Sequence, residues 1–534
     1  MEEKKELFTQ KMSRREFIKK AGKASAGAAV AGAVLGSGAN LFAGGEKEGA
    51  APEEAAAPAE KWKIPVNANK FDGMDLKCIT DSGWSSTLEI VRPGITKECG
   101  LGGVTRDIAN FGEEYAKIVP KLMSSKPGID FFVYNPMSFG DFVNMGALEP
   151  LDKYLNMFEG SDAYLKEVMP AYKNFYTSWG GKTYSFMVDG DLLMLHYLSD
   201  YFNDADYKKK FEKKFKRELK LPDTWHEYLE VAQFFTEETP DGVYGSQMLV
   251  TPPAYAWGYF FNIAVGNGVN YFDENMNPLI TSNECIEALD LWKEIIRWSP
   301  PGGENMGLNE TIGAWQSEST VMALWWFDLA EFSAQQNPDM AERQGGTVCP
   351  GWKKDGKLVK RSLMLANRVA SIPKNIPEER KMAAAYFIYR LSHNDYSFYY
   401  CTDEYSGSDP FMESHYTDEA AREYLKPDPL RGVTADWPTN VGIFKKFETA
   451  RNHLDAGLAC VKVGYPQFNW VGGTEYSESM GRNIAKVATG ELTSKQAMEE
   501  TAEEWTKIVQ KYGIDSQKQM YAQFVQTAKK MGYW

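Results

Sequence analysis

Between Asp72 and Pro136 the chain alternates strand-like and helix-like runs, and this order limits the fold more than any other feature. Leu76-Lys77-Cys78-Ile79-Thr80 reads as a strand, followed by a helical stretch to Glu98. Val104 to Phe111 reads as a second strand and Glu113 to Met123 as a second helix. Ile129 to Tyr134 reads as a third strand, bounded by Pro127-Gly128 and Pro136. Parallel neighbours need a crossover, so this order predicts a mostly parallel sheet covered by helices. The middle and C-terminal parts are richer in helix. Thr224-Trp225-His226-Glu227 is a capping box, and Trp225, Tyr228, Leu229, Ala232 and Phe235 follow at helical spacing. Ser282 caps a predicted helix carrying Ile286, Leu289, Trp292 and Ile296 on one face, and Pro300-Pro301-Gly302-Gly303 ends it. Thr493 to Gln496 repeats the capping pattern before Met498, Ala502, Trp505 and Val509. A chain of 534 residues exceeds one small core, so two or three domains are expected.

The N-terminus reads as an address. Arg14-Arg15 in Ser13-Arg14-Arg15-Glu16-Phe17-Ile18-Lys19-Lys20 precede a short Ala/Gly-rich run, the pattern of a twin-arginine export signal over residues 1–43. The run is too short and too lacking in bulk to span a bilayer readily. Retained, the signal would instead tether the protein to the membrane. The first cysteine is Cys78, so a lipid anchor on a cysteine just after the apolar run is not expected. Residues 44–71 are a low-complexity linker, without bulky apolar residues from Gly44 to Lys61. A periplasmic or other extracytoplasmic location follows, for a passenger that folds before it crosses the membrane.

Charge and composition exclude several functions. The net charge is −14, which disfavours nucleic acid and anionic membrane surfaces as partners. Six scattered cysteines offer no pair of close ligands for zinc, and the five histidines lie far apart. There is no nucleophile elbow and no phosphate loop, and Gly100-Leu101-Gly102-Gly103 reads as a turn. No catalytic residue, metal or cofactor is therefore expected. The basic run Lys208 to Arg217 reads as an amphipathic helix with Phe211, Phe215 and Leu219 on its inner face.

Aromatic and acidic residues at strand ends and in loops suggest a binding site. The chain has 15 Trp and 28 Tyr. Trp84 follows the first strand, Tyr134 ends the third, and Asp189 and Asp191 lie in Val188-Asp189-Gly190-Asp191. Tyr255 and Trp257 follow Pro252-Pro253, Trp326 and Asp328 end the run Val321 to Leu324, and Trp470 precedes Gly472-Gly473. A sugar packs its C–H face on an aromatic ring while its hydroxyls donate to carboxylates. Each Trp can equally be core. Trp292 and Trp505, at helical spacing, are read that way, as is one of the adjacent Trp325 and Trp326.

Several segments together resemble the extracellular solute-binding proteins of ABC importers, in the sugar-binding (maltose-binding-protein-like) family 1. Met145-Gly146-Ala147-Leu148-Glu149-Pro150-Leu151-Asp152 looks like that family's stretch after the third strand. Leu221-Pro222-Asp223-Thr224-Trp225-His226-Glu227 is similar to its Pro-x-Thr-Trp-x-Glu helix start. Ser319 to Leu324, Val369-Ala370-Ser371-Ile372-Pro373-Lys374 and Thr489-Gly490-Glu491-Leu492-Thr493 match later motifs in family order.

The resemblance implies a two-lobed (Venus-flytrap) α/β fold, each lobe a mostly parallel sheet flanked by helices. Lobe one would comprise 72–187 plus 344–372, and lobe two 188–343 plus 373–534. Trp84 and Tyr134 would face the cleft from lobe one. Tyr255, Trp257, Trp326, Asp328 and Trp470 would face it from lobe two, with Asp189 and Asp191 at the hinge. The implied function is capture of a sugar or oligosaccharide, by a monomer, for delivery to an ABC permease. Two departures stand out. Thr402 to Trp437 is longer and more polar than the family pattern. Arg368 stands where small residues are usual, which favours a ligand with an acidic group. The alternatives are a cationic or acidic solute (polyamine, quaternary amine, sugar acid) or a secreted glycan-active enzyme.

Overall fold

The computed structural model describes residues 70–426 and 442–534. The export signal, the linker up to residue 69 and the 427–437 part of the polar elaboration lie outside them. The predicted opening order is observed. Strand β1 (Asp75–Asp81), helix α1 (Ser85–Cys99), β2 (Gly103–Ala109), α2 (Glu114–Leu122) and β3 (Phe131–Tyr134) follow one another, and β1 pairs in parallel with both β2 and β3. All four residues of β3 are buried, as befits a strand covered on both faces. Helix α1 ends at Gly100, whose φ of 69° lets its N–H reach back to the last turn.

The chain then places β4 (Phe186–Asp189) in this first sheet and β5 (Met194–Leu198) in a second one. Residues 190–193 are therefore a crossing between two sheets. The second sheet is completed by β6 (Met322–Trp325) and β7 (Gln344–Thr347). The chain returns to the first sheet with β8 (Arg368–Ser371), which lies between β3 and β4 and is antiparallel to both. The first sheet thus has the order β2-β1-β3-β8-β4. Two lobes result, as expected.

Strand direction in the second lobe differs from expectation. Both β6 and β7 run antiparallel to β5. The parallel expectation extended the opening pattern to a region that lacks it. Here β5 enters directly from the first lobe, and β6 and β7 return after long helical excursions.

Helices build most of lobe two. Helix α3 (Trp225–Glu238) starts with the predicted capping box: Glu227 N–H donates to Thr224 Oγ1 at 3.2 Å and Thr224 N–H to Glu227 Oε2 at 3.0 Å. Helix α4 (Pro253–Gly266) is almost wholly buried. Helix α5 (Asn283–Ile296) is capped by Ser282, which accepts from Cys285 N–H at 3.2 Å. Helix α6 (Leu329–Gln336) follows β6 directly. The basic helix spans Ala205–Phe215 and stops at Lys216, whose φ is 58°. Phe211 and Leu219 are buried and the lysines are largely solvated, Leu219 lying beyond the helix end.

Two stretches fall on the other side from the expected bounds: β7, expected in lobe one, pairs in the second sheet, and helix α7 (Glu378–Ser392), expected in lobe two, packs on the first. Its Phe387 packs on Phe131 of β3 with ring centroids 5.3 Å apart, and Arg390 holds Glu98 of α1 at 2.6 Å. These contacts tie α7 to the first sheet and to α1. Helices α8 (Gly473–Ala488) and α9 (Ser494–Tyr512) close lobe two, with Thr493 and Gln496 capping α9 reciprocally. All six cysteines are buried and unpaired. Among the described residues no helix is long and apolar enough to cross a membrane.

Candidate functional site

The two sheets meet around Arg368, the first residue of β8. The preceding Ala366 and Asn367 have φ values of 77° and 40°, unusual for non-glycine residues. This turn is pinned by Gln467, which accepts from Ala366 N–H at 3.1 Å and donates to Asn135 Oδ1 at 2.9 Å. The guanidinium is 5% exposed and holds three carboxylates. It donates to Asp81 at 2.8 and 3.2 Å, to Asp189 at 2.6 Å and to Asp191 at 3.2 Å. Asp81 ends β1, Asp189 ends β4, and Asp191 lies in the crossing, so three chain segments converge on one cation. Gly83 leaves room for this approach: a Cβ there would sit 3.0 Å from the guanidinium and from Asp81 Oδ1, so those side chains would have to shift.

Further acids lie beside this centre. Asp328 accepts from Trp325 Nε1–H at 3.0 Å, and Glu331 from Gly407 N–H at 3.2 Å. Asp409 accepts from Phe327 N–H at 3.0 Å, and Glu114 from Tyr255 O–H at 3.0 Å. Aromatic rings form the adjoining wall. Phe111 stacks on Tyr255 at 4.2 Å, and Trp326 meets both edge-on at 6.1 and 6.4 Å.

Residues 402–411, the described start of the polar elaboration, form a strap that touches both lobes. Ser408 accepts from Trp84 Nε1–H at 2.7 Å on the lobe-one side. Gly407 and Asp409 bond to Glu331 and Phe327 on the lobe-two side. At the crossing, Asp409 N–H donates to Asp189 Oδ1 at 2.7 Å and Gly190 N–H donates to Asp409 O at 3.1 Å. A side chain on Gly190 would collide with Pro410 O, 2.2 Å from its Cβ. Lobes and strap enclose a cavity of about 30 Å³ whose lining includes Gly83, Phe111, Asp191, Trp326, Asp328 and Arg368. That holds a water or two and not a sugar ring.

Burial dominates the electrostatics. It pushes the Asp328 carboxyl up to about 7, with neighbouring Asp189 adding to the rise and Arg368 opposing it. Glu114 is likewise raised to about 7 by burial and by Asp81. Asp191, Glu331 and Asp409 are pushed well above the usual carboxylate range by burial and by their acidic neighbours. For Arg368 burial works against the charge, but Asp81, Asp189 and Asp191 outweigh it and keep the guanidinium protonated.

The structure separates the expected site residues into two groups. Asp189, Asp191, Trp326, Asp328 and Arg368 come together at the cavity, and Tyr255 joins them through Phe111. Trp84 backs the site through Ser408 and packs edge-on to Tyr400. Tyr134 lies deeper, with its hydroxyl between Ser185 and Ser371. Trp257 and Trp470 sit in the lobe-two core, on Phe468 at 4.8 and 5.2 Å. Trp325 and Trp326 both line the cavity, because the strand ends at Trp325 and alternation stops there. Arg368 is already engaged by Asp81, Asp189 and Asp191, which removes the basis for expecting an acidic ligand. Sequence reading missed Asp81, Phe111, Glu114, Glu331 and Asp409. Asp81 ends the first strand of the opening pattern and Phe111 follows the second, a signal that could have found them; Glu331 and Asp409 had none.

Two α/β lobes, joined by crossing segments and meeting at a polar and aromatic site, define a hinged solute-binding protein. Residues 95–424, more than half of the chain, match the family model for bacterial extracellular solute-binding proteins, and the chain belongs to that family. Solved structures of similar fold include an ABC transporter solute-binding protein from Agrobacterium vitis with D-mannitol. It is 18% identical with a TM-score of 0.64, covering 83% of this chain and 99% of that one. A ribitol complex from Agrobacterium radiobacter is 16% identical with a TM-score of 0.62, covering 82% and 99%. A maltose-bound protein from T. maritima is 16% identical with a TM-score of 0.63, covering 82% and 100%.

Proposed function

We propose that this protein captures a carbohydrate between its lobes and delivers it, unaltered and as a monomer, to the membrane permease of an ABC importer. The observation that carries this reading is the cleft itself, where Phe111 and Trp326, backed by Tyr255, line a cavity beside buried Asp191 and Asp328. Rings take the C–H face of a sugar and carboxylates take its hydroxyls. The ribitol, mannitol and maltose complexes of similar fold support the same class of ligand. The lobes or the strap 402–411 separate to admit the solute, and contacts made by both lobes then favour closure. The proposed boundary assigns 72–189, 368–372 and 378–392 to lobe one. Export follows the twin-arginine route to the periplasm or cell exterior.

The test is calorimetric titration with sugars, sugar alcohols and maltooligosaccharides, using wild type and Trp326→Ala. Binding by wild type that weakens in the variant supports the reading. Turnover of a labelled oligosaccharide would replace it with a glycan-active enzyme.

A further inference from the structure

We propose that the solute held in this cleft carries a protonated amine among its hydroxyl groups, as an amino sugar or amino alditol does. The inference rests on the carbohydrate reading and narrows it.

The argument starts from the balance of charge. One guanidinium, Arg368, faces Asp81, Asp189 and Asp191 in direct contact. Glu114, Asp328, Glu331 and Asp409 stand around that cluster, close enough for their charges to bear on one another and on Asp81 or Asp189. A single positive charge therefore answers seven carboxyl groups, each at most 8% exposed. Buried charges are paired or neutralised, so the cluster either holds protons or receives a further cation.

A second observation is independent of charge. Glu114 Oε2, Glu331 Oε1 and Asp409 Oδ1 have no hydrogen-bond donor, although these side chains are 5%, 1% and 1% exposed. The other oxygen of each is engaged by Tyr255 O–H, Gly407 N–H and Phe327 N–H respectively. Acceptors in need of donors are thus buried around the cavity, behind its lining of Asp191, Asp328 and Gly407. Oxygens of Asp189, Asp191 and Asp409 also lie within 4.8 Å of one another, a spacing one ammonium can bridge.

The three ligand classes fare differently. An acidic solute adds negative charge and finds Arg368 already taken. A neutral sugar supplies one donor per hydroxyl and leaves the carboxyls to be neutralised by protons instead. An ammonium supplies three donors with a positive charge, and the hydroxyls beside it supply the rest. Phe111 is stacked on Tyr255 and already carries the Arg368 guanidinium over its ring, which leaves Trp326 in the cavity lining to take either part, because an aromatic face attracts a cation as well as a C–H face.

The experiment titrates the full-length protein with matched pairs: D-glucitol against 1-amino-1-deoxy-D-glucitol, and D-glucose against D-glucosamine, with N-acetylglucosamine as the uncharged control. Spermidine serves as an amine without hydroxyls, and calcium chloride as a simple cation. In parallel, solute carried through purification from the native host is released by denaturation, identified by mass spectrometry and assayed for a primary amine. The proposal expects an amino compound to bind at least about tenfold tighter than its parent. It also expects that preference to shrink in Asp328→Asn with the circular dichroism spectrum unchanged. A neutral parent that binds as tightly overturns the amine and leaves the carbohydrate reading standing. Binding of spermidine or calcium alone overturns the carbohydrate reading as well. If no compound in the panel binds, the released solute decides: an amine-bearing sugar supports the proposal, and a sugar without an amine overturns it.

Discussion

Two clusters of aromatic rings lie in this protein, and they differ in what surrounds them. In lobe two, Trp257, Tyr271, Phe468, Trp470 and Trp505 pack on one another with centroids mostly 4 to 7 Å apart. Trp257 Nε1–H finds a backbone carbonyl within its own helix. At the cleft, Phe111, Tyr255 and Trp326 pack as closely but border Arg368, Asp191, Asp328 and Glu114. Ring density does not separate the two clusters; the charged neighbours do. A surplus of tryptophan in a sequence therefore identifies neither core nor site until carboxylates are placed beside it.

The largest effect expected from breaking this contrast is on stability. Arg368→Ala leaves buried Asp81, Asp189 and Asp191 without their counter-ion and should cost about 3–5 kcal/mol. Guanidinium denaturation measures it, and an unchanged midpoint would refute the idea that this ion cluster joins the segments. Next, Trp257→Ala should cost about 3–5 kcal/mol by opening a cavity in the lobe-two core. Its effect on ligand affinity in the folded protein should be small. Trp326→Ala should do the reverse in emphasis and weaken binding by about tenfold or more. Calorimetry on both variants sharpens the contrast, and equal losses of affinity would erase it.

A smaller effect concerns pH. Glu114 and Asp328 are raised to about 7 in the folded protein, chiefly by burial. Unfolded carboxyls titrate near pH 4, so between about pH 4 and 7 the folded state binds more protons. Stability should therefore fall as pH rises through that window, by about 1 kcal/mol per pH unit for each such group. Melting at pH 5.5 and 7.5 measures the slope, and Asp328→Asn should flatten it. The smallest expected change is at a helix cap outside both clusters. Thr224→Ala removes the cap of α3 and should cost about 1 kcal/mol.

Local signals were legible in the sequence. The opening strands and helices and the caps at Thr224, Ser282 and Thr493 appear where short-range pattern placed them. What needed distance was not legible. Arg368 lies 287 residues from Asp81 and 179 from Asp189 along the chain, so no window shows the three together. Asp409 reaches the site through a strap with no periodicity to announce it. Trp470 and Trp257 could be named as aromatic residues near turns, but only packing shows that their rings face Phe468 and not the cavity.

The six buried thiols carry a consequence for where this chain can mature. None is bonded to another, and burial pushes Cys78 and Cys349 up to about 12, where little reactive thiolate forms. The architecture is complete without any sulfur cross-link. The fold can form under reducing conditions, and reductants that dismantle many secreted proteins should leave its melting temperature unchanged.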